Sequence, residues 1–549
     1  MERRKYPVGI QTFSRLRREG YVYVDKTDLV WQLANENNPF LFFARPRRFG
    51  KSLLASTLHS FFAGERELFE GLKAEHLDWD WKHYPVLHFD LSAAKHLPHQ
   101  GVRDELIRQI SLMETTYGHG EGETSPGMRL AGLVHRAFEK TGLQVVIIID
   151  EYDAPLLDVL HKDDELHDMR EVLQEFYQRL KMLEPYIRFC FITGITKFSQ
   201  LSIFSTINNI SVISMLPKYA SLCGITDEEL STTLAPDVAL LAEGNDCSPE
   251  EMHRILKVRY DGYKFSRISP EIYNPFSLFK AFDSGEVGNY WFDSGTPTFL
   301  IRQMQKFSTD ITSLNGFEAA SDDFDKPTEA MTTALPLLYQ SGYITIKSYD
   351  RESDTYILSI PNEEVQIGYV QGLLPTYTGI EVSDLRTGFA LKFWRALKSD
   401  DLDLALREMQ AFLAGLPYVE GFKKKLQEMS NAEGFYEYTF YLIFNMLNVY
   451  ARTQVKCHGG RIDIVVLMPS TTYVFELKMH ETAQKALEQI DQRGYALPYV
   501  TEGRKVVKCG LHFDISSCTL DSNNYGKRRR KAYQCEKPEG KWCSTGHHC

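Results

Sequence analysis

Long apolar runs are missing from this 549-residue chain. No stretch approaches the ~18–20 consecutive apolar residues that a membrane span needs, so no spanning helix and no membrane partner are expected. The opening residues, MERRKYPVGIQTF, carry basic side chains with no apolar run behind them, and so give no sign of a secretory leader. An excess of positive charge is missing as well. With 62 Lys and Arg against 73 Asp and Glu, the net charge is −11. The surface therefore cannot be basic throughout, and any contact with nucleic acid must come from local patches of Lys and Arg. Cysteine is sparse, nine in all. Cys190, Cys223, Cys247 and Cys457 are widely scattered, which fits reduced thiols in a cytoplasm better than a disulfide framework. No internal repeat is visible. What remains is an ordinary globular composition, 43% apolar and 25% charged, in a chain long enough for about three domains.

Residues 39–200 alternate strand and helix signals. PFLFFA (39–44), VLHFDLS (86–92), LQVVIIID (143–150) and IRFCFITG (187–194) read as strands. KSLLASTLHSFF (51–62), VRDELIRQISLM (102–113) and 165–183 between them have helical spacing. That order predicts a parallel sheet covered by helices. Residues 225–320 look mostly helical, with aromatic loops. A helix-like 328–342 then precedes two strand-like runs, 343–349 and 354–361, which resembles a small winged-helix unit. From 384 to 450 the pattern is helical again. RIDIVVLM (461–468), a PSTT turn and YVFELKM (473–479) form a hairpin, followed by a helix over 482–497 and a strand over 505–513.

The first chemical signal is FFARPRRFGKSLL (42–54). A strand, a tight loop ending Gly50-Lys51-Ser52, and a helix make the P-loop layout, in which backbone N–H groups at a helix start face phosphate oxygens. Lys51 would neutralise the β and γ phosphates and Ser52 would hold Mg²⁺. Arg48, Phe49, Gly50, Lys51, Ser52 and Leu53 make up the candidate nucleotide-binding segment. Arg45 stands where the general pattern wants glycine, and Arg45, Arg47 and Arg48 are expected to add positive charge near the phosphates. The second signal is VVIIIDEYDAP (145–155), an apolar strand ending in Asp150 and Glu151. Asp150 can hold Mg²⁺ through water, and Glu151 can position and polarise the attacking water. After the next strand, Thr193, Thr196 and Lys197 are candidates for a residue that senses the γ phosphate.

The second constellation is GGRIDIVVLMPSTTYVFELKM (459–479). Asp463 lies near the start of one strand. Glu476 and Lys478 lie two apart on the next, and so point to one face. An Asp and a Glu from adjacent strands can chelate Mg²⁺ or Mn²⁺ through hard oxygens, and Lys478 can orient the bound water or stabilise developing negative charge. Buried acids in apolar strands are costly without partners. Gln489 on the following helix is a supporting residue, and Glu433 or Glu437 could add a carboxylate.

At this point several blocks resemble a known family. VGIQTFSRLRREGYVYVDKT (8–27), RPRRFGKSLL (45–54), IIIDEYDAP (147–155), TGITKFSQLSIFSTINN (193–209), YDGYKF (260–265) and YNPFSL (273–278) resemble the AAA-ATPase-like proteins of bacteria. GRIDIVVL, YVFELKM and ALEQIDQRGYA resemble the PD-(D/E)XK nuclease domain that such proteins carry at the C-terminus. The likeness covers roughly residues 6–515, and an arginine at the position of Arg45 is usual in that family. It implies ATP binding through Lys51 and Ser52 with Asp150 and Glu151 as second motif, and a nuclease-type site at Asp463, Glu476 and Lys478. Asp25, Lys26 and Thr27 match a family block with either a role near the nucleotide or a packing one. The expected fold is α/β: a P-loop parallel sheet with helices on both faces (1–225), a helical middle region with a winged-helix-like unit (226–383), a restriction-endonuclease-like α/β domain (384–515) and a disordered tail (516–549). In that tail Cys535, Cys543, His547, His548 and Cys549 fit no standard zinc spacing, and Lys527 to Lys531 form a basic run.

The expected function is an ATPase coupled to a metal-dependent nuclease, with ATP, Mg²⁺ (or Mn²⁺ at the rear site) and nucleic acid as ligands. The other reading is a nucleotide-dependent switch whose rear domain only binds. Many P-loop ATPases take an arginine from a neighbouring copy, which would make the protein a homo-oligomer. The sequence does not single that arginine out.

Overall fold

The computed structural model describes residues 4–160, 162–197, 210–292, 298–307, 309, 316–327, 331–378, 389–415, 450–457, 460–468, 470–478, 481–500, 503–514 and 519–520. Glu433, Glu437 and the cysteine- and histidine-bearing tail lie outside them. The chain divides into two compact units, Met1–Gly372 and Leu373–Cys549.

The first unit is built on five parallel strands: β1 (Phe40–Ala44), β2 (Val86–Asp90), β3 (Val145–Asp150), β4 (Ile187–Gly194) and β5 (Ser211–Val212), in the order β2-β3-β4-β1-β5. All six residues of β3 are buried. That is what a β-branched run with both faces covered requires in a parallel sheet. The helices Lys51–Phe62, His99–Tyr117 and Pro126–Thr141 pack on these strands. Because the strands are parallel, their carboxyl ends share one edge of the sheet, and the residues after Ala44, Asp150 and Gly194 open onto one crevice. This is where ligands sit in sheets of this kind.

Beyond the sheet, helices Asp227–Ser231, Ala235–Gly244, Pro249–Tyr260 and Pro275–Ser284 gather around Leu230, Leu241, Leu256 and Leu278, joined by Tyr6 and Val22 from the start of the chain. A short antiparallel pair, β6 (Ile225–Thr226) with β7 (Ile272–Tyr273), ties this region together. Next come helix Thr298–Lys306, β8 (Phe317–Ala319), helices Ser321–Phe324 and Leu335–Gln340, and the hairpin β9 (Thr345–Asp350) and β10 (Thr355–Ser359), with strand order β8-β10-β9. Among the described residues, the helix expected over 328–342 covers Leu335–Gln340, ahead of the hairpin expected over 343–361. The helix before the hairpin is buried at Leu335, Leu337, Leu338 and Gln340, so its surface is spent on packing.

The second unit holds a mixed sheet of β11 (Tyr450–Cys457), β12 (Gly460–Leu467), β13 (Thr471–Lys478), β14 (Lys505–Asp514) and β15 (Thr519–Leu520), in that order. β13 and β14 run parallel and the other pairs antiparallel. Helix Ala483–Gln492 connects β13 to β14 and packs on both. It comes so close that a Cβ on Gly510 would lie 2.2 Å from the Ala483 carbonyl oxygen. Ile462, Val465, Val474, Ile490, Tyr495 and Tyr499 fill the core between helix and sheet. Tyr450–Cys457 forms a strand in a stretch to which the sequence reading assigned no element. Among the described residues no helix is long and apolar enough to cross a membrane.

Candidate functional site

Gly50 caps helix Lys51–Phe62 in the left-handed conformation, φ 92°. A Cβ there would meet nothing within 4 Å, so glycine is required for the backbone angle and not for space. Arg48 in the same loop and Glu151 after β3 also have positive φ, 65° and 51°. Side-chain-bearing residues seldom hold that conformation, and such strain gathers at functional sites.

The structure brings the loop and the end of β3 together. Lys51 is 4% exposed. Its ammonium donates to the Pro46 carbonyl at 3.2 Å and lies 3.6 Å from a Glu151 carboxylate oxygen. Asp150, 3% exposed, is pushed up to about 6, first by burial. A hydrogen bond from the Ser52 side chain and the charge of Lys51 act the other way. Lysine, hydroxyl and two acids thus share one crevice, and a divalent cation would relieve the cost of burying Asp150.

Asp153, in the same DEYD stretch, is a buried acid that the motif reading passed over. It is fully buried and accepts from the Ile195 and Thr196 amides at 3.0 and 2.7 Å and from the Thr196 hydroxyl at 2.7 Å. It therefore positions the chain leaving β4. Of the three γ-phosphate sensor candidates, Thr196 is held by Asp153. Lys197 is turned toward the region before the β9–β10 hairpin, with its amide bonded to Gln340 at 2.7 Å and its ammonium 3.0 Å from Asp325. Thr193 is buried beside the loop strand, opposite Phe43, and its hydroxyl has no hydrogen-bond partner among the described residues.

Two of the three loop arginines, Arg45 and Arg48, differ from the expectation. Arg45 is 2% exposed. Its guanidinium donates to the carbonyls of Ala44 (2.9 Å), Ser214 (2.7 Å) and Tyr219 (3.1 Å) and lies 4.0 Å from the Phe265 ring centre. Its charge is spent inside, knitting the loop to residues 214–220. Arg48 sends its guanidinium to the carbonyls of Tyr290 and Trp291 and over the Phe276 ring, so only its backbone belongs to the phosphate loop. Lys26 pairs with Glu229 at 2.5 Å, and Asp25 accepts from the Thr27 amide and hydroxyl.

The segment that Arg48 grips is held from the other side by Glu364, which accepts from the Tyr290 amide at 2.6 Å and the Trp291 amide at 3.0 Å. Burial pushes this carboxyl up to about 7. An acid whose folded pKa lies above its unfolded value binds its proton more tightly when folded. Its contribution is therefore full below the unfolded value and lost as pH rises through 7. Glu364→Gln keeps an acceptor for the two amides and removes the titration. We expect the variant to melt about 2–4 °C above wild type at pH 8, with the gap closing toward pH 5. A gap independent of pH in calorimetric scans would contradict this.

In the second unit, Ile464 pairs with Phe475, and the same register one step on sets Asp463 opposite Glu476. Opposite residues of an antiparallel pair share a face. Asp463 accepts from the Leu477 amide at 2.8 Å. Glu476 is 2% exposed and is pushed up to about 7, by burial first and the neighbouring Asp463 second, with Lys478 opposing. The Lys478 ammonium stands 3.5 Å from one Glu476 oxygen, which also accepts from the Gln489 side-chain amide. The other Glu476 oxygen is buried without a hydrogen-bond partner among the described residues. A hard-oxygen pair with an unbonded oxygen and a lysine at its rim is a donor set that suits Mg²⁺ or Mn²⁺.

Two family models and a relative match this chain. The family described as "Predicted AAA-ATPase" matches residues 7–204, and the "PD-(D/E)XK nuclease superfamily" matches residues 431–523. A curated relative from Azotobacter chroococcum mcd 1, "Uncharacterized protein in vnfD 5'region", is 32% identical over 530 residues, spanning 94% of this chain and 98% of the relative.

Proposed function

We propose that this chain, which belongs to the predicted AAA-ATPase family and carries a PD-(D/E)XK nuclease superfamily domain at its C-terminal end, is an ATP-regulated, metal-dependent nuclease. In this reading the backbone of Arg48, Phe49, Gly50 and Leu53 and the side chain of Lys51 hold the triphosphate. Ser52 and Asp150 hold Mg²⁺, and Glu151 orients the attacking water. In the rear domain, Asp463 and Glu476 hold Mg²⁺ or Mn²⁺, and Lys478 stabilises charge developing on the scissile phosphate. A divalent ion supplies a bound water of lowered pKa and charge neutralisation. Gln489 orients Glu476.

The observation that carries the nuclease reading is the unbonded, buried oxygen of Glu476 on the face it shares with Asp463. Two acids side by side with an oxygen unbonded are costly to bury unless a cation joins them. Cys190, Cys223 and Cys509 are buried free thiols, which supports a reducing, cytoplasmic setting.

The test uses the full chain, stripped with chelator and resupplied with Mg²⁺ or Mn²⁺, on single- and double-stranded DNA and RNA, with and without ATP. Metal-dependent cleavage whose rate changes with ATP and disappears in Glu476→Ala is expected. No cleavage in any arm would leave the other reading, a nucleotide-dependent switch whose rear domain only binds.

A further inference from the structure

The parallel pair β13 and β14 sets Glu476 beside Gly510 and Lys478 beside His512. Paired residues of neighbouring strands share a face, and the strands lie about 4.8 Å apart. His512 therefore stands on the face that carries Glu476 and Lys478, one strand over. At Gly510 that face is covered. A Cβ there would meet the Ala483 carbonyl oxygen at 2.2 Å and the Leu487 amide at 2.5 Å. Helix Ala483–Gln492 returns the chain between two parallel strands, so it runs against them. Two residues further along β14, about 6.6 Å, the face passes the start of that helix. His512 is the side chain there, and it is half-buried.

The two ring nitrogens differ. Nδ1 is buried and has no hydrogen-bond partner among the described residues. An enclosed N–H without an acceptor costs the full desolvation of that donor. The proton of the neutral ring is assigned to Nε2 on that ground. Nε2 is also the nitrogen farther from the strand, so the ring presents one N–H donor to the face. A phosphodiester held over the Asp463–Glu476 pair has Lys478 at its side. Backbone that continues from there toward β14 next meets His512.

We propose that the Nε2–H of His512 donates to a backbone phosphate of the nucleic-acid strand being cut, next to the phosphate at the metal. The inference rests on the reading of Asp463 and Glu476 as a metal centre, and it adds the direction in which the strand leaves, across β14. A phosphate contact fixes position and reads no base. It is also made equally before and during the reaction, so its loss raises KM and leaves kcat unchanged.

The experiment compares the full chain with His512→Ala, His512→Asn and His512→Gln. Glutamine carries an N–H at about the reach of Nε2, and asparagine at about the reach of Nδ1. The probes are fluorescein-labelled single-stranded and duplex DNA and RNA of one sequence. Binding is read by anisotropy with Ca²⁺, cleavage with Mn²⁺, and Mn²⁺ affinity by calorimetry. Alanine and asparagine are expected to weaken binding and raise KM by about tenfold, one hydrogen bond to a charged phosphate. Their kcat and Mn²⁺ affinity should match wild type, and glutamine should stay within about threefold on every measure. Three variants that bind and cut as wild type does would overturn the proposal and leave the metal centre standing. So would a fall in kcat at constant KM, or glutamine no better than alanine. Loss of Mn²⁺ binding in the alanine and asparagine variants would make His512 a packing residue and overturn it too. If wild type neither binds nor cuts any probe, the nuclease reading fails and this inference with it.

Discussion

Lys51→Ala is expected to weaken ATP binding by about a hundredfold or more, because one or two charge-assisted hydrogen bonds to phosphate contribute about 1.5–3 kcal/mol each. The local field strengthens the effect. Asp150 and Asp153 both feel Lys51 as a charge that favours their ionised forms, and Glu151 lies 3.6 Å from it. Without the ammonium, Asp150 and Glu151 face an incoming polyanion unscreened by it. Calorimetric titration with MgATP checks this, and ATP turnover should fall with occupancy. The same variant should keep Mn²⁺ binding in the rear unit, since Asp463 and Glu476 come from a different sheet. ATP affinity within about threefold of wild type, in a variant that melts normally, would remove the phosphate loop from the proposal.

The parts of this site that were legible in the sequence are those set by local pattern. β3 shows itself because six residues in a row must be apolar when both faces of a parallel strand are covered. The meeting of Lys51 with Asp150 follows from two strand ends on one edge of the sheet. Glu476 and Lys478 follow from the two-residue period of a strand. Asp463 follows from the hairpin that sets its strand against theirs.

What escaped depends on long-range partners that no local pattern carries. Arg45 reads as one more cation beside a phosphate, yet its carbonyl acceptors include Ser214 and Tyr219, some 170 residues away, and an aromatic face at Phe265 completes its burial. Asp153 reads as one acid among three, and only the return of β4 beside β3 shows that it binds the amides of Ile195 and Thr196. Glu364 carries no motif at all. Its importance comes from the amides of Tyr290 and Trp291, whose carbonyls face Arg48. β11 was hidden for another reason. Tyr450–Cys457 mixes polar and basic residues, and its pairing with β12, not an apolar alternation, makes it a strand.

Asp463 separates chemistry from stability in the rear unit, because its carboxylate serves two ends. One oxygen accepts from the Leu477 amide at 2.8 Å, and its charge, set beside Glu476, raises that neighbour's pKa. Asparagine keeps the acceptor and removes the charge, whereas alanine removes both. Both variants should lose metal-dependent cleavage by about a thousandfold or more, since several kcal/mol of charge stabilisation at the reacting phosphate depend on the ion. Stability should divide them. Asp463→Ala leaves the Leu477 amide without its acceptor, at a cost of about 1 kcal/mol. Asp463→Asn relieves like-charge repulsion with Glu476 and should melt no lower than wild type. Cleavage assays with Mn²⁺ and calorimetric scans on the two variants read these effects separately. If Asp463→Asn cut nucleic acid at the wild-type rate, the two acids would not form the metal centre. If it melted as low as Asp463→Ala, charge at this position would be supporting the fold, and the acid pair would be structural.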